Sequence, residues 1–236
     1  KDKVVGFVSP IQIQALNQNE SIEETPFVYD TTLQSKLTVP FIKSVYPTAN
    51  KAGLIKTDTE IHGIILKGVD KDYDWYYINS NLTSGEVPHY TEEERSNDVV
   101  ISKIIADKLL LNVGDDVRIW FVGEDMKTRG RKFSVKGIYE TGLTECDERF
   151  IYCDLNQIRR LNGWENDYVG HLEIQLNEDV DVLEANNYIY YSIPTYLISY
   201  TARELYPHIF DWLDLQDMNV VIIIVLMLLV AGITII

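Results

Sequence analysis

Cysteine, proline and glycine are all scarce in this chain. Its 236 residues include 2 Cys, 7 Pro and 13 Gly, which excludes a disulfide-rich scaffold and a collagen-like repeat. Cations are also few: 21 Lys and Arg stand against 36 Asp and Glu, so the net charge is −15. Because nucleic acid is bound through a cationic face, we expect no broad nucleic-acid-binding surface. The apolar fraction of 46% and the aromatic fraction of 11% exclude a disordered acidic tail.

Motifs of the common enzyme and metal-binding classes are also missing. The four His are not in the HExxH spacing, and the chain has neither a GxSxG nucleophile elbow nor a CxxC pair. The stretch GIILKGV lacks the Lys-Ser or Lys-Thr ending of a phosphate-binding loop, so it is more typical of a strand. Carboxylate pairs such as Glu173 and Glu178 are frequent in any chain this acidic. We therefore predict a non-catalytic protein without a cofactor or a metal site.

The two cysteines leave two possibilities open. Cys146 and Cys153 are seven residues apart, which in an extended chain separates them by roughly 23 Å. A disulfide needs Cα atoms within about 7 Å. The pair can therefore form only if residues 147–152 fold back as a tight hairpin in an oxidising compartment. The alternative is two buried or half-buried thiols.

The one long apolar run lies at the end of the chain. Residues 220–236 read VVIIIVLMLLVAGITII and carry no charge. A membrane-spanning helix needs about 20 such residues, so we predict a transmembrane helix that the sequence given includes only in part. A buried core helix is the alternative, but such a helix is normally striped with polar residues.

The flank of this run indicates which side of the membrane holds the rest of the chain. Residues 204–236 contain no Lys or Arg, whereas cytoplasmic flanks are enriched in both. We therefore predict that residues 1–217 are extracytoplasmic. Tyr206, Phe210 and Trp212 lie one to three turns before the run and are predicted to sit at the membrane interface.

The segment that leads into this run has the pattern of an amphipathic helix. Thr201 is a suitable N-cap, and Glu204 three residues later completes a capping box. Pro207 falls inside the pattern, and because proline cannot donate a backbone hydrogen bond, it should kink or restart the helix.

The preceding residues predict a mixed α and β fold. Ser102 caps the clearest helix, whose apolar face includes Ile105 and Leu109. Alternation and β-branched residues between Gly or Pro bounds mark the strands. Strands are predicted at 11–16, 40–49, 60–70, 116–122, 132–139, 149–155, 171–176 and 195–200, and helices at 31–39, 102–111, 155–161 and 180–191.

A hairpin between two of these strands carries the densest basic cluster. Its tip reads GEDMKTRGR and continues into Lys132, so that four cations fall within six residues of an acidic chain. One interpretation is a solvated loop, and the other is a docking site for a partner with an acidic or polar patch. The candidate partner-binding residues are Met126, Lys127, Thr128, Arg129, Arg131 and Lys132.

Several segments together resemble the extracytoplasmic core domain of type VII ABC transporter permeases, the group that includes MacB-like and FtsX-like proteins. The pattern VIS…A..L.L.VGD.V and the segment GIYETGL are the most specific. The similarity covers most of the chain from about residue 55, and the nearest variant is the lipoprotein-releasing LolC/LolE type found in Bacteroidetes. The matching stretches are EIHGIILKGVD, NDVVISKIIADKLLLNVGDDVRIWFVG, RKFSVKGIYETGLTECDERFIYCDLNQIRRLNGW and YPHIFDWLDLQDMNVVIIIVLMLLVAGI.

The resemblance implies an α+β fold in which a strand-rich subdomain is inserted into a porter-like α/β subdomain. The porter-like part would comprise residues 1–57 and 166–202, and the inserted part residues 58–165. A helix at 203–219 would lead into the transmembrane helix at 220–236. These bounds are expectations that follow from the family pattern.

The resemblance also implies a function. The chain would be the periplasmic domain of a permease subunit in the bacterial inner membrane, where it would extract lipoproteins and pass them to a periplasmic carrier. The implied partners are a cytoplasmic ABC ATPase that hydrolyses ATP, a second permease subunit, the carrier, and the lipoprotein substrate. In the lipoprotein-releasing type a hairpin of the inserted subdomain recruits the carrier, and residues 123–132 resemble it. An FtsX-like regulatory module and a MacB-like efflux permease are the alternatives.

Overall fold

The computed structural model describes residues 8–18, 22–56, 61–92, 94–122 and 128–208, together with residues 210, 211, 215, 218, 222–224 and 227. In chain order the elements are β1 (Ile11–Ala15), β2 (Phe27–Val28), α1 (Thr31–Leu37), β3 (Ile42–Lys56), β4 (Ile61–Val69), α2 (Tyr76–Ser80), β5 (Leu82–Gly85), β6 (Asp98–Ser102), α3 (Lys103–Leu109), β7 (Asp116–Val122), β8 (Thr128–Tyr139), α4 (Thr144–Asp147), β9 (Phe150–Asp154), α5 (Leu155–Asn162), β10 (Tyr168–Val169), β11 (His171–Leu176), α6 (Val182–Ser192), β12 (Leu197–Thr201) and α7 (Ala202–Leu205).

Within the described ranges, ten strands form one mixed sheet in the order β12-β1-β11-β3-β4-β9-β6-β8-β5, and β7 pairs with both β3 and β8. The pairs β4–β9 and β6–β8 are parallel, and the other pairs of this sheet are antiparallel. A separate two-stranded ribbon joins β2 and β10. The predicted mixed α and β class is therefore confirmed.

The long strand β3 connects the terminal strands of this sheet with its central strands. Residues 42–48 pair with β11, which lies beside the terminal strands β1 and β12, and residues 48–56 pair with β4. Near its end, Leu54 and Ile55 also pair with β7. Because one strand belongs to both neighbourhoods, hydrogen bonds continue from the terminal strands to the central ones. The proposed division at residues 57 and 165 stays a prediction.

Local sequence signals account for the helix starts. The Ser102 hydroxyl accepts a hydrogen bond from the Ile105 N–H at 3.1 Å, as an N-cap residue does. The helix α3 ends at Leu109, two residues before the predicted end. Leu110 adopts a left-handed conformation with φ of 54°, and the Leu111 N–H bonds to the Ala106 carbonyl at 2.9 Å. This is the hydrogen-bond pattern of a Schellman motif, which closes the helix early.

The helix that follows β12 begins with the predicted cap. The Thr201 side chain and Glu204 form a capping box at α7. The helix is interrupted at Tyr206, and Pro207 and His208 are helical again, because a residue before proline is disfavoured in the α conformation. Within the described positions no helix is long and apolar enough to cross a membrane, and most of the predicted span at 220–236 lies outside them.

Both cysteines are free and buried. Cys146 lies in α4 and Cys153 in β9, and the residues between them pass from helix to strand without forming a hairpin. Burial raises the pKa of the Cys146 thiol to about 12 and raises the pKa of Cys153 as well. The two thiols are therefore structural core residues with little thiolate character.

We expect neither thiol to react with Ellman's reagent in the folded chain, because both are buried and protonated at neutral pH. After denaturation without a reductant, both thiols should react. Titration of thiols in the native and in the unfolded state measures this directly. A chain that shows no free thiol after denaturation in the absence of a reductant would contradict the assignment.

Candidate functional site

The predicted hairpin is present and is longer than expected. Strands β7 and β8 pair from Val122 and Thr128 down to Asp116 and Ser134. In the added part of the hairpin Gly130 pairs with Trp120, and a Cβ at Gly130 would lie 3.0 Å from the Trp120 ring. The four described candidates, Thr128, Arg129, Arg131 and Lys132, therefore belong to strand β8, whereas Met126 and Lys127 lie outside the described residues.

The described basic residues of the hairpin differ in their surroundings. Arg129 is exposed and Arg131 is half-buried. Lys132 forms an ion pair of 2.7 Å with Asp116, and both side chains are more than half exposed, so this pair adds little stability. The role of these side chains in binding a partner stays a prediction.

Two of the three residues predicted at the membrane interface pack against the sheet. We call residues 202–210 the membrane-proximal segment. Its Ala202 N–H donates to the Pro10 carbonyl at 2.9 Å. Tyr206 and Phe210 pack against a hydrophobic cluster, and the Arg203 guanidinium lies 5.6 Å from the centre of the Phe210 ring. Trp212, the third predicted residue, lies outside the described residues.

Aromatic rings form much of the surface that receives this segment. The ring centres of Tyr73 and Trp75 are 5.3 Å apart, and those of Tyr139 and Tyr152 are 5.7 Å apart. Edge-to-face and tilted arrangements of this kind stabilise packing beyond the area that they bury. We call the connected set the aromatic cluster: Tyr46, Tyr73, Trp75, Tyr90, Tyr139 and Tyr152.

A network of buried charges lies beside the aromatic cluster. Lys67 on β4 and Glu173 on β11 form an ion pair of 2.6 Å that crosses over β3, and their side chains are 5% and 3% exposed. The Lys67 ammonium also lies 5.5 Å from the centres of two rings of the aromatic cluster. His171 joins Glu173 at 3.6 Å and Glu24 at 2.7 Å. Glu24 in turn accepts from the Asn50 N–H at 2.7 Å.

Neighbouring charges keep Lys67, His171 and Glu173 in their charged forms, although burial favours the neutral forms. Burial alone would lower the pKa of His171, but Glu24 and Glu173 raise it to about 9. Burial alone would raise the pKa of Glu173, yet Lys67 and His171 hold it at about 2. Glu173 likewise raises the pKa of Lys67 in spite of burial. Lys67, His171 and Glu173 are therefore charged at neutral pH. Burial raises the pKa of Tyr206, and nearby Lys67 partly offsets this effect, so the membrane-proximal segment lies within reach of the network.

The raised pKa of His171 predicts a pH dependence of stability. The unfolded His has a pKa of about 6.5, so its stabilising contribution is complete below that value and is lost as the pH rises through about 9. Over this interval we expect a loss on the order of 3 kcal/mol. Urea unfolding of wild type and of His171→Gln across this pH range isolates the effect, because the variant should lack this part of the slope. An identical slope in both proteins would contradict the prediction.

The residues of this network were not among the sequence candidates. A signal was nevertheless present, because Lys67 interrupts the apolar strand IHGIILKGV and Glu173 lies in the middle of HLEIQL. A charge at an interior position of a buried strand needs a partner. In the part of the chain that the structure describes, no group of three or more His, Cys, Asp or Glu could hold a metal ion. The network links β4 through Lys67, β11 through Glu173 and His171, and β3 through the Asn50 N–H that Glu24 accepts.

Comparison with models of known protein families gives a match over most of the chain. The family model of the MacB-like periplasmic core domain matches residues 4–189. None of the curated proteins is similar enough in sequence to count as a match.

Two solved structures share the fold. The periplasmic region of MacB from Actinobacillus actinomycetemcomitans superposes with a TM-score of 0.54 at 13% identity, covering 84% of this chain and 91% of that one. The extracellular domain of the noncanonical ABC-type transporter YknZ from Gram-positive bacteria superposes with a TM-score of 0.53 at 15% identity, covering 81% and 99%. Because the sequence identities are this low, the superpositions establish a shared fold and nothing about a shared function.

Proposed function

The chain belongs to the MacB-like periplasmic core domain family of ABC transporter permeases, and from this premise we propose that it couples ATP hydrolysis to the release of lipoproteins from the inner membrane. In this proposal a separate cytoplasmic ABC ATPase hydrolyses ATP, and the chain itself catalyses no reaction. A second permease subunit completes the transporter. Residues 1–217 lie in the periplasm, and residues 220–236 belong to a transmembrane helix.

The observation that carries the mechanical part of the proposal is the contact between the membrane-proximal segment and the sheet. Tyr206 and Phe210 pack on the cluster that contains Tyr152, and the Ala202 N–H bonds to the chain just before β1. A well-packed contact moves as a unit, because protein interiors deform little. A shift of a membrane helix that follows residue 210 would therefore reach β1, β12 and the long strand β3 rather than being lost in a flexible connection.

The β7–β8 hairpin supports the choice of lipoprotein release. Its β8 strand places Arg129 and Arg131 on a protein with a net charge of −15. An isolated basic surface of this kind attracts an acidic patch on a soluble partner and sets its orientation. In the proposal that partner is the periplasmic carrier, which accepts the lipoprotein after release. In the proposal the membrane-proximal segment lies at the membrane interface, where Tyr206 and Phe210 anchor it to the sheet and Trp212 faces the lipid headgroups.

Depletion of the full-length protein in its host tests the substrate class. We expect lipoproteins of the outer membrane to accumulate in the inner membrane, as measured by membrane fractionation and immunoblotting, and a plasmid copy should restore their sorting. Normal lipoprotein sorting after depletion would overturn the proposal.

The family match favours one alternative, which is efflux of the MacB type. A MacB-like permease would require an outer-membrane channel and would leave lipoprotein sorting intact. Depletion would then raise the sensitivity of the cells to an exported compound. Because the two functions predict opposite fractionation results, the same depletion strain distinguishes between them.

A further inference from the structure

The outward side of helix α6 carries aromatic rings. Its buried side, with Ala185 and Ile189, packs on β12. The opposite side follows the spacing i, i+3, i+4, i+7, which places four residues on one face of the helix. These residues, which we call the outer face of α6, are Glu184, Asn187, Tyr188 and Tyr191, and all four are exposed. An outward face normally carries only polar and charged side chains, whereas exposed apolar surface is typical of an interaction site.

The tyrosines of the outer face belong to a larger exposed patch. Tyr188 is 50% exposed and Tyr191 is 85% exposed, and Tyr190 and Tyr196 beside them are exposed as well. The Tyr196 carbonyl accepts from the Leu16 N–H at 2.8 Å, so the exposed Leu16 side chain extends the patch. Tyrosine is enriched in protein interfaces, because its rigid ring provides a large contact area at a low cost in conformational entropy.

Contacts with neighbouring rings hold the two tyrosines of the outer face in position. The Phe41 ring, at the start of β3, meets the Tyr188 ring edge to face with the ring centres 5.3 Å apart. The Tyr190 and Tyr191 rings make the same kind of contact, also at 5.3 Å. A side chain that is already positioned loses less rotamer freedom when a partner binds.

The surroundings of the patch are acidic. From residue 161 to residue 202 the chain contains no Lys or Arg. Four exposed acids lie at the start of α6 or just before it, namely Glu178, Asp179, Asp181 and Glu184. Among the described residues none of these carboxylates forms an ion pair within 4.0 Å. Lys43 lies on the adjoining end of β3 and forms no ion pair with them either. The carboxylates are therefore open to a cationic partner.

Carboxylates and rings form one stripe along the helix. Asp181, Glu184, Tyr188 and Tyr191 follow each other at intervals of three or four residues, so they lie on the same side. At 1.5 Å per residue the stripe is about 15 Å long. Its first half attracts cations through charge. Its second half offers ring faces to an apolar side chain or to the ammonium or guanidinium group of a Lys or Arg.

The position and charge of the stripe restrict its occupant. Strand β12 runs from Leu197, next to Tyr196, to Thr201, where the membrane-proximal segment begins. Five strand residues span about 17 Å, so the ring end of the patch lies away from that segment, which disfavours a lipid surface. A second copy that docked through the same face would bring the acids of both copies together. A protein segment that carries Lys or Arg fits both the charge and the rings.

We propose that the outer face of α6 binds a basic segment of an extracytoplasmic partner protein. Lys or Arg side chains of that segment meet Glu184 and the acids before the helix. Tyr188 and Tyr191 pack against the apolar stems of these side chains or stack on their cations. The site lies on other elements than the β7–β8 hairpin, and it does not depend on which substrate the transporter moves.

Fluorescence anisotropy on the full-length protein in detergent tests the proposal. The probe is a fluorescein-labelled dodecapeptide that contains four Lys and two Leu, and the control peptide carries Ser in place of each Lys. We expect the control peptide to bind at least about tenfold more weakly, because it lacks the charges that the carboxylates attract. Added salt should weaken the binding of the Lys peptide. Equal affinity for the two peptides would overturn the proposal.

A tyrosine variant separates this face from the general acidity of the chain. Tyr188→Ala with Tyr191→Ala keeps every charge and should weaken binding of the Lys peptide at least about tenfold. Tyr76→Ala removes a ring that is 77% exposed on α2, and it should bind as wild type does. Both variants should keep the circular dichroism spectrum of the wild type, because the replaced rings are at least half exposed. Wild-type affinity of the double tyrosine variant would contradict the proposal.

Acid variants test the contribution of charge. Glu178→Gln with Glu184→Gln should weaken binding and reduce its dependence on salt, whereas Glu145→Gln with Glu148→Gln, two exposed acids elsewhere, should change neither. Asp181 is kept, since its carboxylate accepts from the Glu184 N–H at 2.9 Å and caps the helix. Equal effects of the two acid variants would count against the site. So would a wild type that ignores the Lys peptide while the tyrosine variant loses self-association or retention on purified peptidoglycan, because the occupant would then be a second copy or a glycan.

Discussion

Replacing Lys67 by Ala is expected to lower the free energy of unfolding by about 3–5 kcal/mol, because it leaves a buried carboxylate without its principal partner. Glu173 is 3% exposed and is held ionised by Lys67 and His171. Without Lys67 the carboxylate must either stay charged in the core or take up a proton. Both outcomes cost stability, and chemical denaturation followed by circular dichroism measures the loss.

Two further variants give this prediction its controls. Lys71→Ala removes a lysine whose ion pair with Glu92 is exposed, and it should leave the unfolding midpoint unchanged. Lys67→Met combined with Glu173→Leu removes both charges of the pair, and it should be clearly more stable than Lys67→Ala. A Lys67→Ala protein with wild-type stability would show that the ion pair contributes nothing to the fold.

Reversing two charges on the hairpin is expected to abolish binding of the carrier. Arg129→Glu with Arg131→Glu changes the local charge by four on the strand that we propose as the docking site. An acidic partner surface would then be repelled, and retention of the purified carrier in a pull-down should fall at least about tenfold. Assembly with the ATPase should be unaffected, because these residues lie far in sequence from the membrane-proximal segment.

A matched charge reversal on another surface serves as the control. Lys103→Glu with Lys108→Glu reverses two cations on α3, and carrier binding should persist. Carrier retention by the hairpin variant at the wild-type level would exclude the hairpin as the recruitment site.

Local signals in the sequence predicted much of the fold. The alternation of Ile11, Ile13 and Ala15 predicted strand β1, and Thr201 with Glu204 predicted the capping box. The hairpin between β7 and β8 was also predicted, although its β8 strand begins at Thr128. These features depend on residues close in sequence, and their hydrogen bonds form within a few residues.

The arrangement of strands and the buried charges could not be predicted in the same way. The parallel pairing of β4 with β9 joins residues more than 80 positions apart, and periodicity carries no information about such partners. Lys67 and Glu173 are separated by 106 positions, so their contact depends on β3 lying between their strands.

Purification of the full-length protein from membranes in mild detergent tests the central claim most directly. If the chain is the extracytoplasmic domain of an ABC permease, a separate ABC ATPase subunit should copurify with it, and the preparation should hydrolyse ATP in a vanadate-sensitive manner. A preparation that contains the permease chain without any ATPase subunit and without ATP hydrolysis would contradict the account.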